Sequence, residues 1–493
     1  MSLAAGQAAE GASADRDGHV VTGVIDQGGA RRGGGGTGSA QEVIAGFGPR
    51  ALPLLLLAGA VVLAVLSWLQ PSMFIRTLMP LLFMLPLALV ALMQPSLATA
   101  GVVLLVALGP TTLLPVGASQ ATALTKVAGI GVAGLCALRY GLSRQFNGPG
   151  LGFLAATALT AALGTPLPGV TLGENVRSLI GGIAPFAFIS ARYDKRAYRM
   201  LTLAVLAGPL ASVVISILLA PLGIGNGPIV NGRLDGMVHP ANLASLSVTA
   251  ITAATLELVR GDRSGIIWLG INTLILFGSG ARVPLLLTVL FGVSILLLSR
   301  TSHFRFGQKL RLTALALPVA LIGAAIFGQR IIERSFTDHS GRAGFQASGR
   351  DIIWELFIVA ISRSPWFGQG VGAGRFAVDI EDVALLGTNA AHNEYLRLAV
   401  DFGVIGTGLI FLGFLVWIAR ETRRMPSGEA VVMRAAGVVL ALHSITDNTL
   451  IALTMMVRMF WFAVVFDRAR NERAARMALS RSSGRWQGAR GTA

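Results

Sequence analysis

The residues best suited to chemistry are one histidine and two arginines, each at the edge of a long apolar run. His392 opens the stretch HNEYLRL, which leads into such a run. Arg233 and Arg282 lie in two short, glycine-containing stretches that also border apolar runs. An imidazole, with an ordinary pKa of about 6.5, suits general acid or base catalysis, and a guanidinium pairs in a fork with phosphate oxygens. The alternatives to these catalytic and binding roles are a structural histidine in a loop and arginines whose side chains only extend to the membrane interface.

Two further segments supply candidate substrate-binding residues. His239 follows Arg233 in the stretch NGRLDGMVHPAN, just before an apolar run. Gly370 and Gly372 belong to the stretch GQGVGAG, whose alternating glycines mimic a nucleotide-binding loop. Because no strand precedes this stretch, we expect instead a turn that packs closely on the rest of the protein.

The residues directly after His392 form a third polar group. Asn393, Glu394 and Arg397 are candidate substrate-binding residues because they lie at the same edge of an apolar run. Glu394 and Asp401 are placed either to orient His392 or to pair with Arg397. The sequence alone leaves both arrangements open.

Acidic residues near His392 raise the question of a metal ion. Asp379, Glu381 and Asp382 form a cluster of the kind that holds divalent cations, but such clusters are more often solvated loop surface. We therefore expect no metal site. His443 and Asp447 flank a short turn and are candidates to border the same cavity as His392.

The composition determines the class of protein that positions these residues. Hydrophobic residues make up 53% of the 493 residues and charged residues only 13%, against about 25% in soluble domains. So little charge cannot cover so much apolar surface, which excludes a soluble or disordered chain. The net charge of +16 resides beside apolar runs, so we expect anionic lipid rather than nucleic acid as the partner. The single cysteine, Cys136, excludes an intrachain disulfide.

The apolar runs predict an all-α polytopic membrane protein with about 12–14 transmembrane helices. We expect a disordered tail at 1–50, a helix bundle over 51–328, a long loop over 329–399, further spans over 400–467 and a basic tail over 468–493. The loop is expected to contain a helix near 349–362 that lies along the membrane or caps the helix bundle. The individual spans are predicted near 51–69, 77–93, 97–115, 122–139, 150–165, 177–191, 200–222, 240–259, 264–279, 282–299, 312–328, 400–419, 431–446 and 449–467.

The distribution of arginine and lysine predicts the orientation. With fourteen spans, one set of short loops and span ends carries sixteen basic residues and the other set carries four. Because basic loops stay in the cytoplasm, both termini are expected inside and the 329–399 loop outside. Arg458 lies near the middle of the last span, where a charged side chain is expected to be functional or paired.

Several of these stretches together resemble one family. The stretches GQGVGAGRF and HNEYLRLAVDFGVIG, preceded by NGRLDGMVHPANLAS, GSGARVPLL and SGRDIIWELFIVAISRSPWFGQG, resemble in order and spacing the O-antigen ligase and polysaccharide polymerase superfamily. The resemblance covers roughly residues 225–420.

The resemblance implies a GT-C-like helix bundle that acts as a metal-independent, inverting glycosyltransferase without a cofactor. Such an enzyme takes a glycan from undecaprenyl diphosphate at the outer face of the bacterial inner membrane, for lipopolysaccharide or exopolysaccharide biosynthesis. By matching position, Arg233 and Arg282 would hold the diphosphate and His392 would serve the acceptor hydroxyl. The acceptor would be another glycan, a lipid A core or a protein. The alternative from another class is a transporter or flippase of lipid-linked glycan, which typically carries inverted repeats and charges at the midplane.

Overall fold

The computed structural model describes residues 91–114, 117–225, 227–299, 350–379 and 388–490, positions 381 and 383, and scattered residues between 307 and 329. All of them belong to the compact unit that spans residues 53–493. The predicted tail at 1–50, the predicted span at 51–69 and most of the one at 77–93 lie outside these residues. So does His339, the other histidine of the predicted outer loop.

The described chain is almost entirely helical, as the sequence predicts for an all-α polytopic membrane protein. Two short strands, β1 (Ile229–Val230) and β2 (Arg233–Leu234), pair in an antiparallel hairpin. The helices are α1 (Pro95–Ala107), α2 (Pro110–Leu113), α3 (Ala118–Tyr140), α4 (Gly148–Leu163), α5 (Leu172–Ala187), α6 (Lys195–Leu219), α7 (Pro240–Arg260), α8 (Gly265–Ser279), α9 (Arg282–Leu298), α10 (Arg350–Ser362), α11 (Glu394–Thr422), α12 (Ser427–His443) and α13 (Leu453–Arg490).

Four of these helices are long and apolar enough to cross a membrane: α3, α6 with its short 3₁₀ extension, α7 and α11. The helices α1, α4, α8 and α9 are apolar but shorter. Each coincides with a predicted span, because continuous apolar runs in lipid must satisfy their backbone groups internally. In α7, 83% of the apolar window is buried, against 44% in the other three, which makes α7 a central helix.

Helix α13 packs beside α7 and brings Arg458 into the interior. Arg458 is only 4% exposed and donates to the Thr249 hydroxyl at 3.0 Å and to the Ser245 carbonyl at 3.2 Å. Both acceptors belong to α7, so the arginine ties the two central helices together. Farther along, α13 continues to Arg490, so the backbone of the predicted basic tail is helical up to that residue.

Helix α11 is interrupted near its start. Gly403 has a φ of 66° and a ψ of −179°, which breaks the run of helical hydrogen bonds. The carbonyl of Val400 accepts from the backbone N–H of Gln369 at 2.9 Å, and that of Asp401 accepts from Gly370 at 3.1 Å. The glycine-rich stretch thus supplies donors that the helix no longer provides.

Two residues just before the glycine-rich stretch accept hydrogen bonds from the other side of the break. The backbone N–H of Val404 donates to the Pro365 carbonyl at 2.9 Å, and that of Ile405 donates to the Trp366 carbonyl at 3.3 Å. A Cβ on Gly403 would lie 2.2 Å from the Trp366 carbonyl oxygen. The expected close packing of the glycine turn is therefore present, and its contact is the broken helix.

Candidate active site

The backbone holds His392 in a fixed, partly exposed position. His392 has a φ of 46°, which is uncommon for a residue other than glycine, and 39% of its side chain is exposed. On one side, the carbonyl of Ala391 accepts a hydrogen bond of 2.9 Å from the Trp354 indole of α10. On the other side, Asn393 caps α11 by accepting from the backbone N–H groups of Tyr395 and Leu396. Hydrogen bonds therefore hold both neighbours of His392, Ala391 and Asn393, in place.

Asp447 lies between two histidines in the turn that follows α12. One carboxylate oxygen is 3.8 Å from His392 Nδ1 and the other is 3.8 Å from His443 Nε2. Burial of Asp447 opposes its ionisation, but its contact with His392 and the field of His443 lower its pKa below the usual value. Asp447 is therefore an anion at neutral pH, placed to stabilise a positive charge on either imidazole. His443 is 4% exposed, so only His392 is open to a substrate.

The two predicted arginines come from segments that are in direct contact. The hairpin turn has positive φ at Asn231 and Gly232, a two-residue turn that places Arg233 opposite Val230 on the second strand. The Arg233 Nε atom donates to the Ser279 carbonyl at 2.6 Å, at the end of α8. Arg282 begins α9 three residues later. The structure thus brings together the two turns that the sequence singles out separately.

His239 connects these turns with the His392 region. It precedes α7 and its Nδ1 accepts a hydrogen bond from the backbone N–H of Ala241 at 3.3 Å. Burial lowers its pKa, with a further contribution from the positive charge of Arg233, while Asp447 and His392 also act on it electrostatically. His239 is therefore neutral at pH 7, with its proton on Nε2, where it is a donor.

The polar residues after His392 have mainly internal partners. Arg397 donates to both carboxylate oxygens of Glu394, at 2.5 and 3.1 Å, and to Asp401 at 2.7 Å. Asp401 also accepts from the backbone N–H of Gly374 at 2.7 Å. Of the two arrangements left open by the sequence, pairing with Arg397 is the one present. Glu394 is 0% exposed and Asn393 only 8%, so both hold the start of α11 in place.

A cavity of about 480 Å³ lies next to the His392 segment. This volume is in the range of ~300–1,000 Å³ that is usual for ligand sites. His392 does not line the cavity, but Ala391 and Asn448, the neighbour of Asp447, do. Gly372 also lines it, whereas Gly370, with a φ of 113°, shapes the turn behind it.

Four basic residues line this cavity: Lys126, Arg177, Arg375 and Arg397. Sequence reasoning missed Lys126 and Arg375 as site residues and counted Arg177 only for the orientation. It also missed Arg350, which starts α10 and acts electrostatically on Asp447 and His443. A lysine inside an otherwise apolar span was the available signal for Lys126.

The acidic cluster is at the surface where the structure describes it. Asp379 and Glu381 are exposed, and Asp382 lies outside the described residues. Within the described part of the chain, no three His, Cys, Asp or Glu side chains are grouped so that they could hold a metal ion.

Comparison with known proteins identifies the region that contains His392. Residues 266–411 match the family model described as O-antigen ligase. This segment includes Arg282, the glycine-rich stretch and His392, while Arg233 and Asp447 lie outside it. A search of curated proteins finds no match to the chain. The family match confirms the resemblance to the O-antigen ligase-like superfamily over residues 266–411, which are less than a third of the chain.

Proposed function

We propose that the chain is a membrane glycosyltransferase of the O-antigen ligase type that transfers or polymerises a glycan carried by undecaprenyl diphosphate. The observation that carries the proposal is the pairing of His392 with ionised Asp447, at the end of the bundle where Arg233 contacts the Ser279–Arg282 turn. An accessible base and two phosphate-binding side chains are what such a transfer requires. The site faces the outside of the bacterial inner membrane, with both termini in the cytoplasm.

The reaction follows from the roles of these side chains. The acceptor hydroxyl attacks the anomeric carbon, the bond from that carbon to the diphosphate breaks, and the electron pair leaves with the phosphate oxygen. His392 accepts the hydroxyl proton, and Asp447 stabilises the resulting imidazolium. Arg233 and Arg282 stabilise the negative charge that grows on the diphosphate. The lipid carrier supplies the free energy, so no nucleotide is involved.

The alternative function is transport of the lipid-linked glycan. The break at Gly403 favours it, because discontinuous helices with charged residues nearby are typical of transporters. However, the backbone groups freed at this break are bonded to residues 365–370 rather than turned toward a pathway. The buried charged residues near the break, Glu394, Arg397 and Asp401, form ion pairs with one another.

A reconstituted assay tests the proposal. Purified protein in liposomes receives an undecaprenyl-diphosphate-linked oligosaccharide and a panel of acceptors, with His392→Ala as the inactive variant and exposed Asp379→Asn as the matched control. We expect release of undecaprenyl diphosphate with a transferred or longer glycan, lost in His392→Ala and kept in Asp379→Asn. The acceptor that is used decides between ligase and polymerase. Movement of the lipid-linked glycan across the bilayer without release would establish transport instead.

A further inference from the structure

Lys126 is a buried ammonium group that, among the described residues, has no carboxylate within ion-pair distance. It lies on α3, about 12 Å from the first residue of that helix at 1.5 Å per residue, and is 6% exposed. Its Nζ atom donates one hydrogen bond, to the Gly181 carbonyl at 3.2 Å. An ammonium group has three donors, and burying it unpaired is costly. Lys126 lies in the wall of the cavity next to the His392 segment.

The other charges of the cavity do not neutralise Lys126. Arg397 already engages both carboxylates of this region, Glu394 and Asp401. Arg177 and Arg375 are exposed and, within the parts of the chain that the structure describes, lie beyond ion-pair distance of any carboxylate. The cavity therefore has an excess of positive charge in a place that is partly shielded from water.

This cavity is separate from the two arginine turns assigned to the donor diphosphate. None of its lining residues comes from the β1–β2 hairpin or from the Ser279–Arg282 turn. His392 connects the two regions, since Ala391 lines the cavity while His239, beside Arg233, responds to the charge of His392. In an inverting displacement, the acceptor attacks the face of the anomeric carbon opposite the leaving group. A cavity apart from the two arginine turns therefore suits the acceptor better than the leaving group.

We propose that the cavity lined by Lys126, Arg177 and Arg375 is an anion-binding site that holds a carboxylate or phosphate group of the acceptor saccharide. The inference rests on the proposed glycosyl transfer and names the chemistry of its acceptor. An anion there would give Lys126 the partner it lacks and would orient the acceptor hydroxyl toward His392. A neutral acceptor would leave the charge uncompensated.

The test compares two acceptor oligosaccharides that differ by a single anionic group. Lys126→Met removes the charge but keeps the chain length, Lys126→Arg restores it, and Arg363→Gln removes an exposed arginine outside the cavity. For the anionic acceptor, we expect Lys126→Met to raise KM by about 10- to 100-fold, the effect of losing one charged hydrogen bond, with kcat and the donor KM unchanged. The neutral acceptor and the Arg363→Gln control should show no such effect.

Thermal stability separates this role from a structural one. Removing an unpaired buried ammonium should raise the Tm of ligand-free Lys126→Met, whereas loss of a needed tie to Gly181 would lower it. An unchanged KM for the anionic acceptor, or an equal change for both acceptors, would overturn the proposal. A rise in the donor KM instead would assign the site to the donor.

A measurement of acceptor binding in an inactive variant tests this inference independently of the proposed reaction. The anionic acceptor alone is titrated into His392→Ala protein in lipid nanodiscs, with and without Lys126→Met. We expect binding that depends on Lys126 and fails for the neutral acceptor. Lysine-independent binding contradicts the inference even if transfer is found, while absence of transfer in the wild-type protein contradicts only the proposed reaction.

Discussion

At the residue scale, exposure decides which of the two histidines beside Asp447 can act as a base. Both imidazoles are 3.8 Å from its carboxylate. His443 is buried and close enough to Arg458 to be affected by its charge, whereas 39% of the His392 side chain is exposed. The same carboxylate thus has a buried neighbour that fixes its position and an accessible neighbour that it assists.

This arrangement predicts graded effects of substitution. Loss of the base in His392→Ala should lower kcat by about 10²- to 10⁴-fold. Asp447→Asn should lower it less, by about 5- to 10³-fold, since a charge pair at this distance is worth about 1–4 kcal/mol between the limits of water and protein surface. Initial rates in liposomes, with Asp379→Asn as the control, measure both effects. Equal rates for Asp447→Asn and the wild type would remove Asp447 from the mechanism.

The pH dependence of kcat/KM gives a second readout of Asp447. Because its pKa is lowered below the usual value, Asp447 does not itself cause an acid limb near neutral pH. Replacing the carboxylate by an amide removes a charge that favours the imidazolium. The acid limb of Asp447→Asn should therefore move to lower pH. A shift toward higher pH would contradict the assignment.

Chelation tests how the leaving group is stabilised. If Arg233 and Arg282 neutralise the diphosphate, glycan transfer should continue in excess EDTA, and Arg282→Ala should be inactive with or without divalent cations. The measurement is the initial rate in EDTA-treated liposomes, with added Mg²⁺ as the comparison. Loss of wild-type activity in EDTA that Mg²⁺ restores would assign part of this role to a metal ion.

At the element scale, the break in α11 predicts a sharp difference between two glycines of the same helix. An alanine at Gly403 would need a positive φ and would place its Cβ 2.2 Å from the Trp366 carbonyl oxygen. Gly408 is exposed, and a Cβ added to it would meet no other atom within 4 Å. Gly403→Ala should therefore lose about 1–3 kcal/mol of stability, while Gly408→Ala should gain up to about 1 kcal/mol.

Thermal unfolding in detergent, followed by tryptophan fluorescence, measures these two variants. We expect a lower Tm and lower activity for Gly403→Ala, because the break positions the helix start next to His392. Gly408→Ala is the control for adding a methyl group to α11. Similar Tm values for the two variants would mean that the break can be closed without loss.

The elements were more predictable than the contacts between them. Apolar runs predict nearly every described helix, since the period and length of a run are local properties. The break in α11 was not predicted, because the stretch DFGVIG also suits a continuous span and only residues 365–370 compensate the lost hydrogen bonds. For the same reason, the sequence proposes Arg233, Arg282 and His392 but misses Lys126, whose isolation depends on distant helices.

At the scale of the whole molecule, the orientation predicted from the basic residues places the candidate site on the outer side of the membrane. The protein has a single cysteine, Cys136, which is 0% exposed, so a Cys136→Ala background is suitable for accessibility labelling. Glu381, eleven residues before His392 in the sequence, and Arg263, just after the last residue of α7, are both exposed. A helix of 21 residues separates the two ends of α7 by about 30 Å, the thickness of a bilayer core.

Labelling with a membrane-impermeant maleimide in intact spheroplasts tests this orientation. Glu381→Cys should react directly, whereas Arg263→Cys should react only after permeabilisation, because basic span ends remain in the cytoplasm. Activity of both variants confirms that the labelled protein is folded. The reverse pattern would place His392 and the arginine turns in the cytoplasm, where a donor displayed on the outer face could not reach them, and the proposed transfer at that face would have to be abandoned.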